Sequence, residues 1–409
     1  MAKKTVVIVG GGFGGVRVAL DLSRHEHDLK IVIVDKDGYH SYPADYYKLL
    51  SPSHDGKEHF GPAKFRLMFS SVSIPLAEIF EGKKNIEIVF GEASGVDSVK
   101  NELILSSGSR VKYDWLILAV GSATNFYGIP GLASRAIEFK TTEDSLNLRN
   151  AVDEAFGRKG KRESVSIIVG GGGFTGSEVA SELVGFVQSV AKLHGHPAEK
   201  VSISIVEASS VLLASAGDWV SKKAVLRLKK LGVEVLLGDP LIDVKDNVVD
   251  LKSGKSINFD VLVWTAGVKA NPLAEKIAGL NLSKGSCVTV DEYLRTNLAE
   301  NIFAIGDVAF CMDKDKPMPM TSQTAISQGR YVAHYIKKKL HGRGIFKYHP
   351  KKSNFIVPLG GRYALIDFGK LKLEGFIPWA LKRVVALKYF LSILSFRKAL
   401  KAWFFGVRF

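Results

Sequence analysis

Cysteine is nearly missing. The 409 residues hold two, Cys287 and Cys311, with no Cys-x-x-Cys pair and no Cys/His cluster at metal-ligand spacing. This argues against a disulfide framework, a zinc site or an iron–sulfur cluster, and no metal is expected. Long apolar runs are also missing. The longest near the C-terminus, Tyr389–Phe396, has eight residues between charges, whereas a spanning helix needs about 20. Trp115–Ser134 is uncharged for long enough, but its Gly, Asn and Pro residues make it a strand plus a loop. The opening MAKK runs straight into a strand pattern with no apolar leader, so a cytoplasmic chain is expected. Acidic residues are scarce in one place above all. Formal charge is +15, and from His341 to Phe409 fourteen Lys/Arg face only Asp367 and Glu374, a net of +12. That asymmetry calls for an anionic partner, a membrane surface or nucleic acid.

What is present is glycine, and it is patterned. Thr5–Leu22 reads TVVIVGGGFGGVRVALDL, and Ser166–Leu183 reads SIIVGGGGFTGSEVASEL. In the first copy a strand is predicted over Val6–Val9, then a turn over Gly10–Gly15. A helix follows over about Val16–Ser23, and a second strand, Ile31–Val34, ends at Asp35. In the second copy the strand is Ser166–Val169 and the turn Gly171–Gly176. Its helix runs to about Ala191, and strand Val201–Val206 ends at Glu207. In G-x-G-x-x-G the first glycine makes the tight turn and the second lets backbone approach a pyrophosphate. The third lets helix and strand pack closely, and the helix N-terminus supplies free N–H groups and a positive dipole end. Gly10, Gly12 and Gly15 fit these roles, with Phe13 and Gly14 inside the turn; Gly171, Gly173 and Gly176 repeat them.

Asp35 and Glu207 stand where a carboxylate can accept hydrogen bonds from ribose hydroxyls. An acid there repels a 2′-phosphate, so Glu207 favours NADH over NADPH. Glu207 follows Gly176 by 31 residues, a wider gap than the 20 between Gly15 and Asp35. Two dinucleotides on one chain suggest that electrons pass from a visiting nicotinamide to a resident flavin. The expected fold class is α/β, with two Rossmann-like dinucleotide-binding domains and a C-terminal amphipathic membrane-binding segment. The boundaries drawn are 1–155 and 286–350 for the FAD domain, 160–285 for the NADH domain and 351–409 for the tail. A helix is expected over Met320–Tyr335. His40, His54 and His59 lie in a polar, irregular stretch and are given no role.

Over roughly residues 1–350 the chain resembles the two-dinucleotide-binding-domain flavoprotein oxidoreductases. The likeness rests on VVIVGGGFGG, LILAVGS (Leu116–Ser122), GGGGFTGSEVASEL, VWTAGVKANP and NIFAIGDVAF. It implies non-covalent FAD on the first unit and NADH as substrate on the second. It places Ala119, Gly121 and Gly267 along the cofactors and Asp307 near the flavin ribityl and phosphate. Within that superfamily the chain most resembles the type II NADH:quinone oxidoreductases, by Glu178 and Glu182 after the second turn, by TSQTAISQGR and by the tail. Such enzymes oxidise NADH and reduce a membrane quinone without pumping protons. The resemblance puts Glu178 near the nicotinamide and quinone sites, where it could assist proton delivery. The plain alternative is an acid favoured at a helix start by the macrodipole. The family motif Ala-Gln-x-Ala-x-Gln maps to Ser322, Gln323, Thr324, Ala325, Ile326 and Ser327, with Gln328 one place later. Gln323, Ser327 and Gln328 are the implied quinone residues, and the Ala325 backbone would approach the flavin. Ser322 and Ser327 depart from the motif.

From Phe376 to Phe405 large apolar residues alternate with basic ones. Trp379, Leu381, Tyr389, Phe390, Leu391, Leu394, Phe396, Trp403, Phe404 and Phe405 are available to insert. Lys382, Arg383, Lys388, Arg397, Lys398 and Lys401 can meet anionic headgroups. Nucleic acid needs no such aliphatic bulk, so none is expected as a partner. A tail packed on its own domain or in a homodimer interface is the alternative. The expected location is peripheral, on the cytoplasmic face of the cell membrane. Two rival functions remain: a sulfide:quinone oxidoreductase, which would use Cys287 and Cys311 beside the flavin, and a redox sensor that does not turn over.

Overall fold

A computed structural model describes residues 3–24, 28–52, 62–314, 316–350 and 355–405; His54 and His59 lie outside them. The chain divides into two compact units. Met1–Ser41, Ile74–Ala123 and Val268–Ser353 form the first, and Tyr42–Ser73, Thr124–Gly267 and Asn354–Phe409 the second.

The first unit is built on a five-stranded parallel sheet ordered Ile302–Ala304, Trp115–Leu118, Thr5–Val9, Lys30–Asp35, Ile86–Phe90. TVVIV and KIVIVD are runs of β-branched residues buried on both faces, as central parallel strands require. Helix Phe13–Ser23 follows the first strand. Helix Ser322–Leu340 lies against it so closely that a Cβ on Gly329 would stand 2.6 Å from the Gly14 carbonyl oxygen. The core of this unit takes in Val7, Val32, Leu116, Ala304 and, from later in the chain, Ala270, Leu273 and Ile277.

The second unit repeats the plan. Its parallel sheet runs Ile137–Glu138, Val261–Trp264, Val165–Gly170, Val201–Glu207, Val233–Leu237. Helix Phe174–His194 is 21 residues against 11 for Phe13–Ser23, which accounts for the wider gap before Glu207. It ends at Gly195 in the left-handed region, φ 71°, where glycine carries no steric cost. Residues 124–155, drawn in sequence with the FAD domain, group with this unit instead. Strand Ile137–Glu138 is the edge of its sheet, and Leu148, Val152 and Phe156 of helix Thr142–Arg158 enter its core. Residues 42–73 belong here too, whereas 268–285 fall in the first unit.

The tail is two helices, Phe376–Ile393 and Phe396–Phe405. Arg383 Nη2 donates to the Trp403 carbonyl at 2.7 Å, and Trp403 Nε1 donates back to the Arg383 carbonyl at 2.8 Å, tying the pair into a hairpin. Among the described residues, no helix is long and apolar enough to cross a membrane.

Candidate functional site

Each glycine of the first turn has its own physical reason. Gly10 has φ +105°, and a Cβ there would meet the Ala119 carbonyl oxygen at 2.5 Å. A Cβ on Gly15 would lie 2.0 Å from the Gly10 oxygen, so only glycine lets helix and turn meet. Gly12 is different. Its φ is an ordinary −74°, and a Cβ there would touch nothing within 4 Å. The open space in front of Gly12, together with a helix start that no side chain caps, leaves N–H groups facing outward for an anion. A dinucleotide pyrophosphate fits this cradle. Gly14 packs against the Ile305 side chain and the Ala325 carbonyl. Asp35 Oδ2 accepts from Gly11 N at 2.7 Å, and Oδ1 accepts from Asp37 N and Gly38 N at 3.0 and 2.8 Å. The acid therefore holds the turn.

The second turn matches it position by position. Gly171 has φ +108° and would press a Cβ onto Ala266; on Gly176 a Cβ would fall 1.8 Å from the Gly171 oxygen. Gly173, with φ −73° and no side-chain cap, again has nothing within 4 Å of its would-be Cβ. Glu207 accepts from Gly172 N at 2.5 Å and from Ser209 N at 2.7 Å. Gly267, φ +82°, lies directly under the Tyr127 ring.

Sequence reasoning missed His40. It is fully buried, its Nδ1 donates to the Gly11 carbonyl at 2.9 Å, and it meets Phe13 edge-on at 5.1 Å. Burial pushes its pKa down from 6.5 to about 4, so the neutral ring braces the turn. Above pH 6.5 neither the folded nor the unfolded form is appreciably charged. Between 6.5 and 4 only the unfolded form binds the proton, and stability falls by about 3 kcal/mol as pH drops through this window. Urea unfolding at pH 7 and pH 4.5 should show a larger loss for the wild type than for His40→Asn.

At the end of the first unit's sheet, Ser122 Oγ donates to Asp307 Oδ2 at 2.7 Å. Gly121 has φ +71° and open space beside it. Helix Ser322–Leu340 starts one residue after its cap, Thr321, which accepts from Thr324 N. Gln323 is exposed in the first turn, and Ala325 is buried against Gly14. Ser327 Oγ accepts from Tyr348 Oη at 3.2 Å. Gln328 corrects the sequence expectation of a quinone residue. It is 1% exposed and its amide oxygen accepts from Gly306 N at 2.7 Å, so it fixes the Gly306–Asp307 turn. Cys287 and Cys311 are both buried, and burial pushes both thiols up, away from the thiolate that sulfur chemistry needs.

In the second unit Glu178 sits in the second turn of helix Phe174–His194, and a tail residue covers it. Lys382 Nζ donates to Glu178 Oε1 at 3.0 Å, with each side chain 14% exposed. Burial raises the Glu178 carboxyl, and Lys382 opposes the rise. Glu182, one turn on, accepts from Ser51 Oγ and from Gly361 N. Burial raises this carboxyl also. The short 3-10 helix Pro43–Leu50 lies alongside, its final carbonyls held by the buried Arg149, which donates to Leu49 O at 2.7 Å. Lys382 and Arg383, expected at lipid headgroups, are thus turned inward. Each has a protein partner, one a carboxylate and the other a backbone carbonyl. Phe390 is buried as well, against Tyr42 at 5.0 Å, and Tyr389 stacks on Tyr42 at 5.3 Å.

The opposite face of the same helix is bare. Ile377, Leu381, Val384, Val385 and Leu391 fall at helical spacing and are all exposed, with Phe376, Phe396 and Phe404 flanking them and Lys388, Arg397 and Lys401 between. The Phe405 side chain lies outside the described residues. A helix apolar on two faces, one packed and one open, marks an interaction surface.

Two nucleotide cradles on duplicated sheets define a class, and the family comparison agrees. Residues 4–329 match the pyridine nucleotide-disulphide oxidoreductase model, and the chain belongs to that family. Among its curated relatives, the type II NADH:quinone oxidoreductase Ndh of Mycobacterium tuberculosis is 27% identical over 425 residues, spanning 97% of this chain and 87% of the relative. The structure of the NDH2 protein of Plasmodium falciparum in complex with NADH is 20% identical, with a TM-score of 0.83 over 99% of this chain and 97% of that one. The sulfide:quinone oxidoreductase of Aquifex aeolicus shares the fold at a TM-score of 0.75 and 20% identity, over 95% and 90% of the two chains.

Proposed function

We propose that the chain is a type II NADH:quinone oxidoreductase, an FAD-dependent enzyme that oxidises NADH and reduces a membrane quinone. The observation that carries the reading is the pair of matched turns, each with an open glycine and an uncapped helix start. Gly10, Gly12 and Gly15, with Asp35, would hold FAD; Gly171, Gly173 and Gly176, with Glu207, would hold NADH. FAD, when bound, supplies two-electron chemistry between nicotinamide and quinone. The N–H groups of the two helix starts bind the pyrophosphates and orient the dinucleotides. Glu207 accepts from the ribose of NADH and repels the 2′-phosphate of NADPH. Glu178, raised by burial, holds a proton for the quinol oxygen. Gln323, exposed at its helix start, donates its amide to a quinone carbonyl. The relatives' names support the NADH and quinone assignments.

Anaerobic NADH added to the flavin-loaded protein should bleach the flavin absorbance, and a quinone should restore it. A flavin that NADH bleaches but that stays reduced with every quinone tried would remove the acceptor assignment and leave the sensor. The sulfide reading needs reactive cysteines, and the buried, raised thiols disfavour it. Replacing both by Ser should leave NADH oxidation intact.

We place the chain at the cytoplasmic face of the membrane; the bare tail face supports peripheral attachment, with each cation near an anionic leaflet adding about 1 kcal/mol. Deleting the tail would also strip Lys382 from Glu178 and uncover the buried Tyr42, on which Tyr389 and Phe390 pack. The cleaner variant is Ile377→Ser with Val384→Ser and Val385→Ser. It should stay in the supernatant when anionic vesicles are spun down, while NADH still bleaches the flavin. A wild type that ignores vesicles but sediments as a dimer, against a monomeric variant, would assign the face to a second copy.

A further inference from the structure

Next to Glu178 lies a second ion pair that the proposed chemistry has not used. Asp45 Oδ2 accepts from Lys48 Nζ at 2.5 Å, and the two side chains are 5% and 15% exposed. Both belong to the short helix Pro43–Leu50, which Arg149 clamps from one side and the Ser51–Glu182 bond from the other. This pair and the Glu178–Lys382 pair share a neighbour, the buried Tyr47 ring. Lys48 Nζ lies 5.9 Å from its centroid and Lys382 Nζ lies 4.7 Å from it. The groups that bear on Lys48 are Asp45 and Tyr47 from its own helix, Glu178 and Glu182 from helix Phe174–His194, and Lys382 and Arg383 from the tail. Three acids face three bases, so the cluster is neutral with every member charged. Asp45 Oδ1 is buried and has no protein donor among the described residues, an acceptor position that water or a substrate hydroxyl can fill.

Keeping two buried pairs side by side is costly, and apolar residues would pack as well. Proton balance gives a reason to keep them. NADH, one proton and quinone give NAD+ and quinol, so each turnover draws one proton from solvent. If Glu178 gives that proton to the quinol oxygen, its carboxylate must be reloaded before the next turnover. We propose that Lys48, oriented by Asp45, is the group that reloads Glu178. The ammonium gives up a proton toward the carboxylate, becomes a neutral amine and regains its proton from solvent through its exposed edge. Burial also pushes the Lys48 ammonium down from 10.5 to about 8, against the pull of Asp45, which brings it into the range where a lysine can cycle. The inference rests on the reading of Glu178 given above.

The test uses the full-length, flavin-loaded enzyme with Lys48→Gln and Lys48→Arg. Arginine keeps the charge and the partner but does not release its proton at working pH. Both variants are expected to lose at least about tenfold in quinone-dependent turnover, the low end of a proton-transfer contribution. Bleaching of the flavin by NADH and the melting temperature of Lys48→Arg should stay near wild type. Added imidazole, a small proton carrier, should restore much of the lost turnover. Full turnover in Lys48→Arg would overturn the proposal by reducing Lys48 to a fixed charge, and so would a loss that imidazole does not repair. Should Lys48→Gln fail to fold, Lys48→Arg alone decides. Glu178→Gln measured alongside separates the two levels. If it leaves quinol formation intact, the Glu178 reading itself falls; if it slows quinol formation and the Lys48 variants do not, only this proposal falls.

Discussion

Gly12→Ala should give a folded, colourless protein, and Gly173→Ala a folded, yellow protein that dithionite bleaches but NADH does not. Both positions have ordinary extended backbone, and a Cβ at either meets no protein atom within 4 Å. The only stability cost is the exchange of glycine for alanine at an N-cap, up to about 1 kcal/mol. What the methyl group occupies is the space a pyrophosphate must enter. Losing one or two charge-assisted hydrogen bonds of about 1.5–3 kcal/mol each weakens binding by roughly a hundredfold. Gly15→Ala and Gly176→Ala serve as the contrast. Their Cβ atoms would fall 2.0 and 1.8 Å from backbone oxygens, so these chains should be insoluble. Circular dichroism and the flavin-to-protein absorbance ratio check all four. Normal flavin in Gly12→Ala, or rapid bleaching by NADH in Gly173→Ala, would remove the cradle assignment.

Glu178→Gln should lower quinone-dependent turnover by about a hundredfold, the scale of a lost general acid, while NADH bleaches the flavin at nearly the wild-type rate. The pH dependence carries more information than the loss itself. The Glu178 carboxyl is raised by burial, and Lys382 holds it down. Turnover limited by the protonated carboxyl declines as pH rises past that raised value. In Lys382→Gln the restraint is gone, the carboxyl rises further, and the declining limb should move to higher pH. A limb that moves to lower pH in kcat against pH with a soluble quinone would contradict the role given to the pair.

The turns were legible because their chemistry is local. A strand, three spaced glycines and a helix follow one another, and Gly10, Gly15, Gly171 and Gly176 each owe their identity to atoms a few residues away or to a neighbouring parallel strand. What sequence left hidden depends on partners far along the chain. Lys382 reads as a headgroup cation until Glu178, 204 residues earlier, is found beside it. His40 sits in an irregular stretch, and only the fold brings it under the Gly11 carbonyl. Gln328 lies one helical step from the family motif, yet it faces inward to Gly306. The alternation of apolar and basic residues in the tail was visible, but which apolar face would be covered was not, since both faces carry similar residues. The domain boundaries shifted because the linker was placed by its charge, whereas strand Ile137–Glu138 joins the second sheet.

The contact of Gly329 with Gly14 has a consequence for how the protein is made. The helix that leads from the first glycine turn is covered by a segment more than 300 residues downstream, and the edge strand Ile302–Ala304 arrives just as late. On the ribosome the nascent N-terminus must wait, with its apolar helix face uncovered, while the whole second sheet is synthesised and folds. The strands of the second sheet are all made before that cover appears, whereas the first unit, expected to take the yellow prosthetic group, is completed only by residues that follow them. Flavin supply in the expressing cell then acts on nearly finished molecules, and truncation at any point before residue 329 leaves the first helix without its cover.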